Sequence, residues 1–228
     1  MRVVGLWRFP VKSLGGEQLD RVEVGELGLR GDRQWGIRDV ATGKMLTARR
    51  EPKLLFASAR LGDDGDVDVT LPQGDDLSEW LGYAVDLVRA ESGVRGTFEA
   101  PLDFEHDADW VEWTGPDGVF HDSTRTRFSL VSRATLRDWD ERRFRTNVIV
   151  DGDGEDELVG RRVRVGTVEA DVTKQIDRCV ITTRPQPGIE RDLAVLRTIN
   201  KERAGNLAIG CVVTAPGAIA LGDRVELI

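Results

Sequence analysis

Apolar residues in this chain come in short runs, each closed within a few positions by glycine, aspartate or proline, and that punctuation limits what it can fold into. Residues 2–9 and 21–24 carry partial apolar–polar alternation, the mark of a half-buried strand. Residues 34–40 and 44–48 flank Ala41-Thr42-Gly43, and residues 54–61 and 67–71 flank Gly62-Asp63-Asp64-Gly65-Asp66, so each pair reads as a hairpin. Further strands are expected over 84–89, 146–150, 162–172, 207–214 and 224–228. Helical spacing occurs in three places. Asp75 or Asp76 caps a run through Leu77, Trp80 and Leu81. Residues 132–142 set Leu136 and Trp139 three apart, and residues 190–202 place Leu193, Leu196 and Ile199 on one face. Residues 91–119, rich in Gly, Asp, Pro and Trp, lack a period and read as a long connection. The fold class is therefore mainly β with a few helices, an antiparallel barrel or sandwich.

Composition removes several classes of function. Hydrophobic residues at 40% and charged residues at 32% describe a globular chain, and no apolar run approaches the roughly 20 residues that span a bilayer. Residues 1–10 lack the continuous apolar region of a signal peptide and read as a first strand, which points to the cytoplasm and away from the membrane. A net charge of −8 argues against a nucleic-acid partner bound through phosphate neutralisation. Cysteine occurs only at Cys179 and Cys211 and histidine only at His106 and His121, which leaves neither a disulfide framework nor a clustered zinc site. No Gly-x-Ser-x-Gly elbow accompanies Phe120-His121-Asp122-Ser123-Thr124, so a serine hydrolase is set aside.

Cys179 carries the strongest chemical signal. Arg178 precedes it, Lys174 and Arg184 stand five residues to either side, and Thr182-Thr183 follow. Nearby cations favour a thiolate, the form that acts as nucleophile or soft-metal ligand. The plainer reading is a buried structural cysteine, which is what Cys211 in its apolar run represents. Phe9-Pro10-Val11-Lys12-Ser13-Leu14-Gly15-Gly16 is either a glycine turn with a solvated lysine or an anion cradle, and it lacks the spacing of a nucleotide-binding P-loop. Arg33, Arg49 and Arg50 stand at strand edges, where arginines are more often surface ion pairs worth little. Strand alternation would put Arg143, Arg145 and Asn147 on one side, as a solvated face or as donors for phosphate and pterin edges.

In this order, the segments resemble the MOSC family, the C-terminal domain of molybdenum cofactor sulfurases and its relatives, and within it the two-domain amidoxime-reducing component group. The matching stretches are Phe-Pro-Val-Lys-Ser at 9–13, Asp-Arg-x-Trp at 32–35, Thr-Ala-Arg-x-Glu-Pro at 47–52, Asp-Ser-Thr at 122–124, Phe-Arg-x-Asn at 144–147, Arg-Cys-x-x-Thr-Thr at 178–183 and Pro-Gly-x-Ile-x-x-Gly-Asp at 216–223. The resemblance implies an N-terminal barrel-like domain over 1–115 packed on a C-terminal MOSC β-barrel over 116–228, with a molybdenum–pterin cofactor (molybdopterin) between them. It implies Cys179 as the molybdenum ligand and catalytic residue, and Lys12, Ser13, Arg33, Ser123, Thr124, Arg145 and Asn147 as cofactor contacts. Relatives often carry a first cysteine where this chain has Ile176, and proline where it has Thr146.

The activity so implied is an oxidoreductase acting on N-hydroxylated small molecules. No flavin or iron–sulfur ligand set is present in the sequence, so electrons would come from a separate donor, whether a reductase, a ferredoxin or a b-type cytochrome. The alternative is a non-catalytic cofactor carrier or a sulfur-transfer module using Cys179.

Overall fold

Strands dominate the chain, and the structure, a computed structural model, describes residues 1–101 and 109–228. The first half carries β1 (Val3–Arg8), β2 (Glu17–Gln18), β3 (Arg21–Gly25), β4 (Gly28–Leu29), β5 (Trp35–Asp39), β6 (Ser58–Leu61) and β7 (Val67–Thr70). Helix α1 (Leu77–Leu81), β8 (Val85–Arg89), β9 (Arg95–Pro101) and β10 (Trp110–Asp117) complete it. The second half begins with β11 (Phe128–Ser132), α2 (Arg133–Leu136), β12 (Val148–Val150), β13 (Arg162–Val165) and β14 (Val168–Asp177). It ends with α3 (Leu193–Arg203), β15 (Asn206–Ala215), β16 (Gly217–Ala220) and β17 (Val225–Leu227).

Eight strands form a curled half-barrel in the order β17-β13-β14-β15-β11-β12-β1-β2. Neighbours are antiparallel except β11 and β12, which run parallel. The start of the chain is thus a strand of the sheet built from the second half, and β3 likewise pairs with β16. Where the sheet has one wet face, the pattern is strictly two-fold: Val22 and Val24 of β3 and Val163 and Val165 of β13 are buried between exposed neighbours. At its centre both faces are covered, so Phe128-Ser129-Leu130-Val131-Ser132 is buried throughout. Phe128 and Leu130 enter the barrel core with Val148 and Ile209, while Val131 and Ile149 face Val195 and Ile199 of α3. A separate core around Val11, Leu14, Ile37, Leu46 and Leu54 supports the first half.

Four expectations are corrected. Residues 44–48 form no strand; Met45 and Leu46 bond singly to neighbouring chains, and β5 takes β8 as its partner. Residues 132–142 shrink to α2, because Arg137 turns to φ 56° and closes the helix through its N–H to Ala134. In α3 the buried stripe is Val195 and Ile199, and Leu193 is exposed. Residues 91–119 hold a hairpin, β9 with β10, apart from 102–108, which lie outside the described residues together with His106.

Candidate functional site

Close packing fixes the turn that opens the site. After β1 the chain runs through Lys12-Ser13 and folds back so tightly at Gly16 that an added Cβ would lie 2.3 Å from the Arg8 carbonyl oxygen and 2.6 Å from the Phe9 ring. Ser13 sits in the left-handed region at φ 72°, and its Oγ accepts the Ala48 N–H at 2.9 Å, keying the 47–50 turn to this one. Arg33 (φ 51°) and Arg145 (φ 52°) share that unusual conformation. Each such residue costs on the order of 1 kcal/mol, strain that accumulates where a site demands it.

These segments surround a cavity of about 460 Å³ between the two halves of the chain. Lys12, Ser13 and Arg33 reach it from the first half, and Ser123, Arg145, Asn147 and Cys179 from the second. Thr124 does not line it and lies on the exposed loop beyond Ser123. Arg143, Arg145 and Asn147 do share the cavity, but through a 3-10 turn over Glu141–Arg143 and the left-handed Arg145, since β12 starts only at Val148.

Electrostatically the cavity is cationic in an acidic chain. Buried Lys12 gives its ammonium to the Phe120 carbonyl at 3.0 Å and to Asp122 Oδ1 at 2.8 Å, and lies 4.4 Å over the Phe98 ring. Burial lowers its pKa and Asp122 opposes the shift. Enclosure favours the neutral acid at Asp122, but Lys12 and Arg49 outweigh it and hold the carboxyl well below the usual range. With 59% of the side chain open, charge pairing governs. The Arg33 guanidinium pairs with buried Asp32 and donates to the Arg145 carbonyl at 3.0 Å. Both arginines lie over the Phe9 ring, at 5.2 and 4.4 Å. Burial, reinforced by Arg33, pulls Arg145 down to about 9. A guanidinium does not readily give up its proton, so an anion placed against Arg145 would relieve this cost. Arg145 Nη2, Arg49 Nε and His121 Nε2 are buried with no partner among the described residues. Burial first, then Arg33, push His121 down to about 3 and keep it neutral.

Cys179 stands at the end of β14, half-buried and unpaired, and caps the 3-10 turn Val180–Thr183. One expectation about its neighbours changes here. The cations next to it in sequence are engaged elsewhere: Arg178 donates to the carbonyls of Leu207 (2.7 Å) and Phe144 (2.8 Å), and Lys174 pairs with Asp177 at 2.9 Å. Burial therefore wins and raises the thiol pKa, and the charge that most opposes it is Arg49 from the first half. The threonines hold backbone, not sulfur: Thr182 Oγ1 donates to the Cys179 carbonyl at 3.0 Å and Thr183 Oγ1 to that of Val180 at 2.8 Å. Asn147 is also engaged, accepting from Ser129 N–H and Oγ at 3.1 Å each and donating to the Trp7 carbonyl at 3.2 Å.

Arg49 and Trp113 line the cavity without having been singled out for it. Arg49 stood inside the Thr-Ala-Arg-x-Glu-Pro stretch, where its contrast with Arg50 was invisible: Arg50 leaves to pair with Glu99 and Asp39. Trp113 lay in the stretch read as a connection.

Comparison with known proteins covers both halves. The MOSC N-terminal beta barrel domain model matches residues 1–113, and the MOSC domain model matches residues 117–226. Mitochondrial amidoxime-reducing component 1 of Mus musculus is 26% identical and that of Homo sapiens 25%; each alignment covers 99% of this chain and 82% of the relative. The crystal structure of the YuaD protein from Bacillus subtilis shares the fold at a TM-score of 0.53 and 15% identity, covering 99% of this chain and 94% of that one. With a barrel model on its first half and a MOSC model on its second, the chain belongs to the MOSC family.

Proposed function

We propose that this protein binds a molybdenum–pterin cofactor in the central cavity and reduces N-hydroxylated small molecules with electrons from a separate donor protein. The observation that carries the reading is a cationic cavity with a single cysteine on its wall and buried guanidinium and imidazole nitrogens that have no partner among the described residues. Such donors suit the phosphate and polar edges of a pterin cofactor. The names of the curated relatives, amidoxime-reducing components, support the substrate class.

In this reading residues 1–115 and 116–228 are two halves that close on the cofactor. Lys12, Ser13, Arg33, Ser123 and Arg145 hold its anionic and polar parts, and Asn147 fixes the strand ends behind them. Thr124 is left outside that set because it does not reach the cavity. Cys179 would be the metal ligand, and a bound metal would hold it as the thiolate although burial alone favours the thiol. When bound, the cofactor supplies two-electron chemistry at an N–O bond: R–NH–OH takes up two electrons and two protons to give R–NH2 and water. The donor is a reductase, a ferredoxin or a b-type cytochrome, and the setting is the cytoplasm; no helix among the described residues is long and apolar enough to cross a membrane.

The test is turnover of benzamidoxime by the molybdenum-loaded protein with a chemical electron donor. Wild-type protein reduces it and Cys179→Ala does not, while both melt at the same temperature. Full activity in Cys179→Ala overturns the assignment. Bound cofactor with no turnover, released instead to a cofactor-free acceptor enzyme, would make the protein a carrier.

A further inference from the structure

Resting on that reading, we infer that Arg49 is a substrate-binding residue that selects planar N-hydroxylated compounds carrying an anionic group. Arg49 lines the cavity from the 47–50 turn, next to Lys12, with which it shares the Asp122 carboxylate, and it has bonding capacity to spare. Its guanidinium carbon lies 4.6 Å from the centre of the Trp113 ring, and Trp113 is stacked on Phe98 at 5.5 Å. One edge of the guanidinium touches Asp122 at 3.4 Å, the weaker of the two cation contacts to that carboxylate. Nε is buried and has no partner among the described residues. The turn that carries Arg49 is anchored at its start by the Ala48 N–H on Ser13 Oγ. The group is therefore held over an aromatic ring, charged and incompletely bonded, on the lining of the cavity.

Two consequences follow for a molecule that enters toward Cys179. A planar π system can lie along the guanidinium plane, the geometry arginine uses for stacking. A carboxylate or hydroxamate oxygen can take an N–H on the open part of the guanidinium, whose side chain is 21% exposed, in a charge-assisted bond, whereas a cationic substituent meets a like charge. The carboxylates at the rim do not reverse this preference, because Asp122 is paired with Lys12 and Arg49, and Asp177 with Lys174. The Arg33 guanidinium is tied to Asp32 and one Arg145 nitrogen to the Leu14 carbonyl, and in the proposed reading what they have left faces the cofactor. Arg49 is thus the charge available to the substrate.

The experiment has two arms on the full chain. In the first, isothermal titration compares para-carboxybenzamide, which has no N–O bond to reduce, with benzamide. The wild-type protein should bind the carboxylate about tenfold or more tightly, the strength of one charge-assisted bond, and Arg49→Gln should erase the difference while Arg49→Lys keeps part of it. In the second, the molybdenum-loaded protein turns over para-carboxybenzamidoxime and para-trimethylammoniobenzamidoxime. The first should have the higher kcat/KM through a lower KM, and Arg49→Gln should remove the gap at unchanged molybdenum content. Turnover without charge preference, or equal binding of the two amides, overturns the inference and leaves the reductase reading standing. An Arg49-dependent preference in binding without any reductase activity supports the inference and removes the reductase reading. Loss of molybdenum from Arg49→Gln would assign Arg49 to the cofactor and also overturn it.

Discussion

His121 offers a test of the site's electrostatics that needs no cofactor. It is 6% exposed, faces Arg33, Lys12 and Arg127, and titrates near 3 in the folded protein, against about 6.5 when unfolded. A group whose folded pKa is depressed contributes stability above its unfolded pKa and loses it as pH falls, because the unfolded chain takes up the proton first. Between pH 6.5 and pH 3 this one histidine therefore removes stability at roughly 1.4 kcal/mol per pH unit, or about 2 kcal/mol by pH 5. Carboxylates titrate in the same range, so the measurement is a difference. Urea unfolding of the cofactor-free protein and of His121→Gln at pH 7.5, 6 and 5 should show wild type losing about 2 kcal/mol more than the variant over that span. Parallel loss in both proteins would refute the view that burial, reinforced by Arg33, keeps the His121 imidazole neutral.

Other perturbations separate scaffold from site. Asn147→Ala removes the acceptor for Ser129 and the donor to Trp7 in a buried setting, and should cost about 3 kcal/mol, seen as a lower Tm. Arg145→Gly relieves a left-handed backbone and an uncompensated buried cation, so the cofactor-free protein should be stable to within about 1 kcal/mol of wild type, while the thermal protection given by inorganic phosphate disappears. Gly28→Ala places a Cβ 2.2 Å from the Arg127 carbonyl oxygen at φ 105°, and should destabilise by at least about 2 kcal/mol in urea unfolding.

What could be read in the sequence was local. Strands with one wet face announced themselves by alternation, as β3 and β13 did, and Asp76 capped α1 as its residue type foretold. Strand β9 was hidden because its inward residues are Gly96, Phe98 and Ala100, only one of them bulky. Gly96 and Gly115 leave the space that the Phe98 ring fills. For the site, the residue types in the ordered segments were legible while their bonding was not. The arginine beside Cys179 in sequence serves backbone carbonyls, and the one that acts most strongly on it comes from the 47–50 turn. Arg143, Arg145 and Asn147 converge for a reason alternation does not supply, the left-handed turn at Arg145. Long-range closure decides such matters, and it leaves no mark on neighbouring residues.

The central claim is that the cavity holds a molybdenum cofactor through Cys179. Its most direct test is elemental analysis of the protein purified from its native host, side by side with Cys179→Ala. The expected result is near-stoichiometric molybdenum in wild type and its loss in the variant at unchanged Tm. Metal-free wild-type protein from a host that makes the cofactor, or molybdenum retained in full by Cys179→Ala, would contradict it.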